Sequence, residues 1–573
     1  MLACGVLFAL GGTASAARST PTRAVAKVNS EHMRSVGKVN LRSLAARVHE
    51  TAVPTSRQGS LPAAVPSGTR RIVDAQAATF HPGGVQGSAK ISPEPTPVTT
   101  DQVSGERGFA GISGPQQAQA NGGLDLEPPD QGLCAGKGAV GEFINSAYTV
   151  YATNGTQQEA VIPTYAIFDQ PSTSFFSDPR CYYDAPTQRW FLIAFTITFS
   201  KSGALIPPAV QYVAVSDTSD PLGTFSILSF STTDRDEPNC PCFGDFDQLG
   251  ADDNGIYIST NEFGDKTGFN GVVIYALSKQ LLETESTTGI APTIFAYHVP
   301  KDPFGQPYHI APAQTPAGAK FAQDTEYFVE SNSDAFSDDH LVVFAMTNTS
   351  LLAQPAPPPL IRTPKIASER YEFPPDALQK KGPIPLGKAS QDPEGQLQAD
   401  FNAIQEVTYT GGTLYAEAAT GISGNRVAAA WFAIAPTVSG KTLSATVTNE
   451  GYVAVAGQSL IYPAIAVNAS GQGFIAFTLS GPDYYPSAAY VQFGPSGPTG
   501  PVRLAAMGAG PEDSFTCYAA FVGPNYGGCR WGDYSMGVAM GSRVYLATEM
   551  VPNSARDYLT NWGTFVWSAP TTG

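Results

Sequence analysis

Charge, histidine and long apolar runs are all scarce in this chain. Asp, Glu, Lys and Arg make up only 14% of its 573 residues, too few for coiled coils or exposed helix bundles. Beyond residue 120 the histidines are His298, His309 and His340, and no spacing of Cys and His matches a common zinc site. No stretch after the N-terminus holds 18 uncharged apolar residues, so no membrane-spanning helix is expected. A G-x-x-x-x-G-K-[ST] phosphate loop, an H-E-x-x-H helix and a G-x-S-x-G elbow are likewise missing.

What is present points to short strands and many turns. The chain holds 57 Gly and 47 Pro, and 10% of it is aromatic, a composition suited to an all-β fold. Residues 1–17 read as a signal peptide: an apolar run from Gly5 to Leu10, then the small residues Ala14-Ser15-Ala16-Ala17. No Lys or Arg precedes that run, so its start is expected upstream of Met1; Cys4 as a lipoprotein cysteine is the competing reading. The expected location is secreted and extracellular. Residues 18–120, rich in Ala, Ser, Thr, Pro, Gly and Gln, read as a disordered linker or pro-segment with one basic amphipathic helix over Val36 to Val48. Residues 18–107 carry a net charge of +6 and the remainder −22. The acidic body argues against nucleic acid and anionic membranes. A glycan or a cell-surface protein is the expected partner of a monomer.

From 121 to 573 a polar cluster followed by an alternating strand recurs. The clusters start near Asp125, Asp178, Asp245, Asp324, Asp400, Tyr462 and Arg530, at steps of 53 to 79 residues. Hairpin turns fall at Asn154-Gly155, Asn254-Gly255 and Ser470-Gly471. The Pro-rich stretch from Gln354 to Pro385 reads as a surface excursion. Units of this variable length suit a β-propeller of about seven four-stranded blades; two stacked β-sandwiches are the rival.

Six cysteines remain once Cys4 is set aside: Cys134, Cys181, Cys240, Cys242, Cys517 and Cys529. An even count in an exported chain favours disulfides. Cys517 with Cys529 closes a short Gly-rich loop. Cys240-Pro241-Cys242 looks too tight for an internal bridge, so each is expected to reach Cys134 or Cys181.

Several of these segments, Glu127-Pro128-Pro129-Asp130, Asp178-Pro179 with Arg189-Trp190, Ser216 to Thr224, Tyr462-Pro463-Ala464-Ile465 and Arg530-Trp531-Gly532-Asp533-Tyr534-Ser535, resemble secreted bacterial sialidase-like, BNR-repeat-like β-propellers. The resemblance runs from about Leu124 to Val566 and implies a propeller. Sialidases would add an arginine triad, a Tyr–Glu pair and repeated Asp-boxes. Here only Arg180 and Arg530 sit inside the polar clusters, and one degenerate box, Ser219 to Phe225, lacks its Trp.

In a propeller the entry residues of the inner strands gather at one channel mouth. That would bring together Asp130, Asp178, Arg180, Asp245, Asp247, Asp400, Tyr462, Arg530, Asp533 and Tyr534. Crowded carboxylates raise one another's pKa, and a protonated acid beside a second carboxylate is what glycosidic cleavage needs. Asp178, Asp245, Asp533 and Tyr534 are the catalytic candidates of a glycoside hydrolase or lyase. Asp130, Arg180, Asp247, Asp400, Tyr462, Arg530 and Trp531 are the substrate-binding ones. Turn-fixing Asp residues and an internal Arg530–Asp533 salt bridge are the bland alternatives. Asp245-x-Asp247 with Asp252-Asp253-Asn254 also offers hard oxygen ligands to Ca²⁺. A non-catalytic propeller that binds polysaccharide or protein is the rival function.

Overall fold

The computed structural model describes residues 25–51, 71–73, 90–198, 206–235, 240–264, 268–299, 308–331, 337–354, 356–523, 528–554 and 558–571. The signal-peptide segment 1–17, with Cys4, lies outside them. Strand dominates. Alternating residues such as Arg189-Trp190-Phe191-Leu192-Ile193-Ala194-Phe195 bury side chains on both faces, and nearly every residue of the inner strands is buried.

The strands form successive antiparallel meanders, each with a first, inner strand. The inner strands are Gly132–Gly136, Phe176–Asp184, Cys242–Ala251, Ile310–Gln314, Ile404–Thr410, Ser459–Val467 and Met536–Met540. Each inner strand lies beside the next, and the last packs on the first. The approach is close: a Cβ on Gly132 would stand 2.7 Å from the Pro179 carbonyl oxygen of the neighbouring inner strand. The hydrophobic core is divided accordingly into layers between consecutive sheets. Phe143 and Trp190 fill the first layer, Phe191 and Val273 the second, Tyr257 and Phe344 the third, and Val343 and Phe432 the fourth. Trp431 with Phe477, Phe474 with Trp567, and Val140 with Val566 fill the layers that lead back to the first sheet. Burying each such side chain stabilises the fold by roughly 1.5–3 kcal/mol. The result is a propeller-like, mostly β architecture rather than two stacked sandwiches.

Three sequence expectations are corrected. The stretch 18–120 is not a free linker where it is described. Lys27–His32 pairs with Thr293–Val299, Arg34–Asn40 with Thr224–Ser231, and Val98–Thr99 with Gly497–Ala506. Arg107–Ser113 completes the last meander against Gly563–Pro570. These segments needed little apolar surface because sheet edges offer them backbone hydrogen bonds. The basic helix spans Leu41–Thr51, and its Leu41, Leu44 and Ala45 pack on the first core layer. The fourth inner strand is Ile310–Gln314, not the strand after Asp324; Asp324 instead accepts from the Ser350 N–H at 2.6 Å in a turn. The Pro-rich excursion carries Leu360–Arg362 and Ile366–Glu372, both paired with Ser337–Thr347.

Among the described residues three disulfides are formed. Cys517–Cys529 is as expected. Cys240 and Cys242 pair with each other, correcting the longer-range expectation, because their Cα atoms are 4.5 Å apart, within bridging range. Cys134–Cys181 then ties the first two inner strands across a sequence separation of 47. Replacing both with Ser is expected to lower stability by about 4 kcal/mol, the chain entropy of a loop of that length. A fall in the urea midpoint checks this; an unchanged midpoint would show that the packed strands hold without the bridge.

Candidate functional site

The entry ends of the inner strands meet as expected, and a repeated backbone device aims them inward. The register of four inner strands shifts at a bulge, between Ser177 and Arg180, Asp245 and Gln248, Ile404 and Val407, and Ile461 and Ala464. Bulges turn side chains out of the ladder. Asp178 (φ 48°), Phe246 (φ 63°) and Tyr462 (φ 49°) occupy the left-handed region at three of them, as do the entry residues Asp130 (φ 42°) and His309 (φ 59°). Such positions cost about 1–3 kcal/mol each and persist only where neighbours over-determine them. Asn side chains of preceding sheets supply part of that restraint. Asn145 Oδ1 accepts from the Asp178 N–H at 2.9 Å, and Asn261 Oδ1 from the His309 N–H at 3.0 Å.

Asp178 and Asp245 converge on one donor. The Phe246 N–H lies 2.7 Å from Asp178 Oδ2 and 3.0 Å from Asp245 Oδ1. Asp247 follows in the same bulge, and burial pushes its carboxyl up to about 8, against smaller downward pulls from Gln211 and Arg180. Glu262, on the adjoining strand, is pushed up to about 8, first by burial and further by the neighbouring Asp234 and Asp247, against a pull from Thr260.

Arg530 and Asp533 form the internal salt bridge. Arg530 Nη2 lies 3.0 and 3.1 Å from the Asp533 oxygens, and Nη1 2.6 Å from Asp400 Oδ2. Tyr462 Oη donates to the same Asp400 oxygen at 3.1 Å. Asp130 joins this group by accepting from the Asp533 N–H and from Asn145 Nδ2, both at 2.6 Å. Trp531 is buried and donates from Nε1 to Thr478 Oγ1 at 3.2 Å. The Gly532 N–H donates to Glu549 Oε2 at 2.6 Å. Glu549 and Glu127 are both held well above the carboxylate range, by burial and by Glu512 beside them.

Arg180 crosses the centre of the ring. Its guanidinium carbon stands 3.5 Å from the centroid of the Tyr534 ring, which also packs on Phe246. The Gln248 amide, with its oxygen toward Arg180, accepts from Nη2 at 2.9 Å and donates to the Gln405 carbonyl at 2.8 Å. Gln405 Nε2 donates to the Asp533 carbonyl at 2.8 Å. Around these groups lies a cavity of about 20 Å³, the room of roughly one water molecule. Burial pushes Glu406, on its wall, up to about 8 and drives His309 down to about 3.

Hydrogen bonds and ring contacts link Asp130, Asp178, Arg180, Asp245, Asp400, Tyr462, Arg530, Asp533 and Tyr534 in one buried network, and Asp247 is buried in the bulge beside Asp245. Asp245 and Asp247 sit at the bulge in the middle of Cys242–Ala251 and Asp252 follows its far end, and among the described residues their ligand atoms are not grouped as a Ca²⁺ set would be. Asp252 instead closes the hairpin, accepting from the Asn254 and Gly255 N–H groups at 2.8 and 2.6 Å. Among the described residues, Asp338, Asp339 and His340 do bring ligand atoms within 4.8 Å of one another, though Lys365 already pairs with Asp338 at 3.2 Å. Sequence reasoning missed Asn145, Gln248, His309, Gln405 and Glu406. Tyr308-His309-Ile310-Ala311-Pro312 echoes Tyr462-Pro463-Ala464 and was the signal available for His309.

No protein-family model and no curated protein matches the chain. Among solved structures it is similar to an exo-β-1,3-galactanase from Clostridium thermocellum, at 10% identity over 81% of this chain and 97% of that one, with a TM-score of 0.29. An exo-β-1,3-galactanase from Phanerochaete chrysosporium shares 11% identity over 78% and 93%, with a TM-score of 0.26. A subtype N11 neuraminidase-like protein of A/flat-faced bat/Peru/033/2010 shares 7% over 53% and 70%, with a TM-score of 0.27. TM-scores this low carry no functional argument. Among the described residues no helix is long and apolar enough to cross a membrane.

Proposed function

We propose that the chain is a secreted, seven-bladed, sialidase-like β-propeller, folded over 121–573 with edge strands from the preceding segment, that hydrolyses a glycan at its channel mouth. The observation that carries this reading is the convergence of Asp178 and Asp245 on the Phe246 N–H, with Asp247 in the same bulge. The Asp178 and Asp245 oxygens that share this N–H lie within about 6 Å of each other, inside the reach of a glycosidase pair, and Asp247 keeps a proton to about pH 8. Asp247 takes the part of general acid, donating to the glycosidic oxygen, and Asp178 or Asp245 that of base or nucleophile. Arg530, locked to Asp533, acts as scaffold and is withdrawn from the substrate-binding set, and Asp533 acts as scaffold and is withdrawn from the catalytic set. The same holds for Tyr534, which lies under Arg180.

Burial favours a second reading. Asp178, Asp245 and Asp247 are fully buried, and a general acid must reach its substrate oxygen within about 3 Å. A propeller that binds polysaccharide or protein on its rim, with a structural acid network, accommodates that burial directly.

The secreted chain, assayed on plant, bacterial and host glycans for new reducing ends or unsaturated products, separates the two. Hydrolysis predicts new reducing ends, and a loss of at least about 100-fold in Asp245→Asn and Asp247→Asn with unchanged circular dichroism. Binding without turnover across the panel would leave only the second reading.

A further inference from the structure

One disulfide does less for the fold than the other two. Cys134–Cys181 ties neighbouring inner strands across a sequence separation of 47, and Cys517–Cys529 closes a loop with a separation of 12. Cys240–Cys242 spans a separation of 2, and a bridge stabilises a fold less the shorter the loop it closes. The strand start beside it is already held in another way. The Cys242 N–H donates to the Asp234 carbonyl at 2.9 Å, the Asp234 N–H donates to the Cys242 carbonyl at 3.1 Å, and Cys242 pairs with Gly264 in the sheet. Opening this bridge therefore leaves the third inner strand in register.

The two residues are also unequal in access. Cys242 is fully buried, whereas Cys240 is partly exposed and Pro241 between them is exposed. Asn270 Nδ2 donates to both sulfurs, at 3.5 Å to Cys240 Sγ and 3.4 Å to Cys242 Sγ. A hydrogen bond of this kind strengthens as a sulfur takes on negative charge. The other bridges lack this combination. Cys134 and Cys181 are both buried. Cys517 is partly exposed, but it lines a cleft shared with Asp376, Asp392 and Glu394, whose negative charges repel an incoming thiolate.

We propose that Cys240-Pro241-Cys242 is a thiol–disulfide exchange site for a small thiol reductant, with Cys240 Sγ as the atom attacked. A thiolate of the reductant bonds to Cys240 Sγ, and the Cys240–Cys242 bond breaks. Its electron pair leaves on Cys242 Sγ, beside Asn270, and that sulfur takes up a proton from water. A second thiolate then attacks the reductant sulfur of the mixed disulfide and expels Cys240, which is protonated in turn. Two electrons pass to the protein, and the reductant departs as its own disulfide. The site does not depend on any reaction at the mouth.

The test equilibrates the full chain at pH 7 in graded ratios of reduced to oxidised dithiothreitol. Samples are quenched in acid, alkylated and mapped by peptide mass, with circular dichroism recorded on each. Half-reduction of Cys240–Cys242 is expected at a ratio at least about tenfold below that of either other bridge, with the spectrum unchanged. Cys242→Ser and Cys240→Ser, each keeping one thiol of the pair, are then exposed to oxidised glutathione. Cys240 should form the mixed disulfide at least about tenfold faster than Cys242, because exchange requires access. Reduction of Cys240–Cys242 together with or after the other bridges, reduction only as the spectrum collapses, or equal capture at the two thiols overturns the proposal. The wild-type titration decides it even where a Ser variant does not fold.

Discussion

Arg530→Met is expected to destabilise the protein by about 3–5 kcal/mol, the cost of stranding buried charges by removing one partner. The substitution keeps most of the side-chain volume but leaves Asp533 and Asp400, both buried, without the guanidinium that lies between them. A typical domain has only about 5–15 kcal/mol in all, so the urea midpoint should fall sharply and the yield of folded protein with it. Arg530→Lys should recover little, because one ammonium cannot reproduce the three contacts of the planar fork to two carboxylates. Arg530→Met combined with Asp533→Asn should be less damaging than the single change, since one stranded charge is gone. A single variant within about 1 kcal/mol of wild type would mean that the two carboxyls take up protons at little cost.

Raising the pH from 6.5 to 8 is expected to lower the thermal midpoint. Asp247, Glu262 and Glu406 are each raised in the folded state to about 8, from ordinary values of 3.8, 4.5 and 4.5. Between about pH 4 and 8 the folded chain therefore holds protons that the unfolded chain has released, and stability falls as pH rises through that window. Glu127, Glu326, Glu417 and Glu549, also raised, act in the same direction. His309 opposes them. Lowered from 6.5 to about 3, it contributes stability above pH 6.5 that is lost as the pH falls toward 3. Above pH 6.5 its contribution is flat, so the acids alone set the slope there. Each group acts with at most about 1.4 kcal/mol per pH unit, and the combined loss by pH 8 is on the order of a few kcal/mol. Glu262→Gln, which keeps the shape of the side chain beside Thr260, should flatten the profile. A midpoint that rises steadily from pH 6.5 to 8 would show that these carboxyls are ionised in the fold.

The legible parts of this chain were local. Alternation in Tyr212 to Ser216 and Ile256 to Phe263, turn chemistry at Asn154-Gly155 and Ser470-Gly471, and the short loop between Cys517 and Cys529 all depend on neighbours in sequence. The recurrence of Asp178, Asp245 and Arg530 at inner strands was legible because a repeated unit places equivalent residues at equivalent ends. The fourth inner strand was misread because Ile310–Gln314 is short and rich in Ala and Pro, with no amphipathic signature. The strands at 27–40 were missed because an edge strand can be held by backbone hydrogen bonds to Thr224–Ser231 and Thr293–Val299, a property of the partner and not of its own side chains.

By itself, then, the sequence determined the mostly β class of structure and one disulfide, since propensity, period and turn type are short-range. Tertiary structure decided what the polar-cluster residues do. Arg530 meets Asp400 across 130 positions, Asp533 meets Asp130 across 403, and Arg180 reaches Tyr534 at the ring centre. Burial, partner and protonation state are set by such encounters, because the loss of water around a charge depends on everything that closes over it.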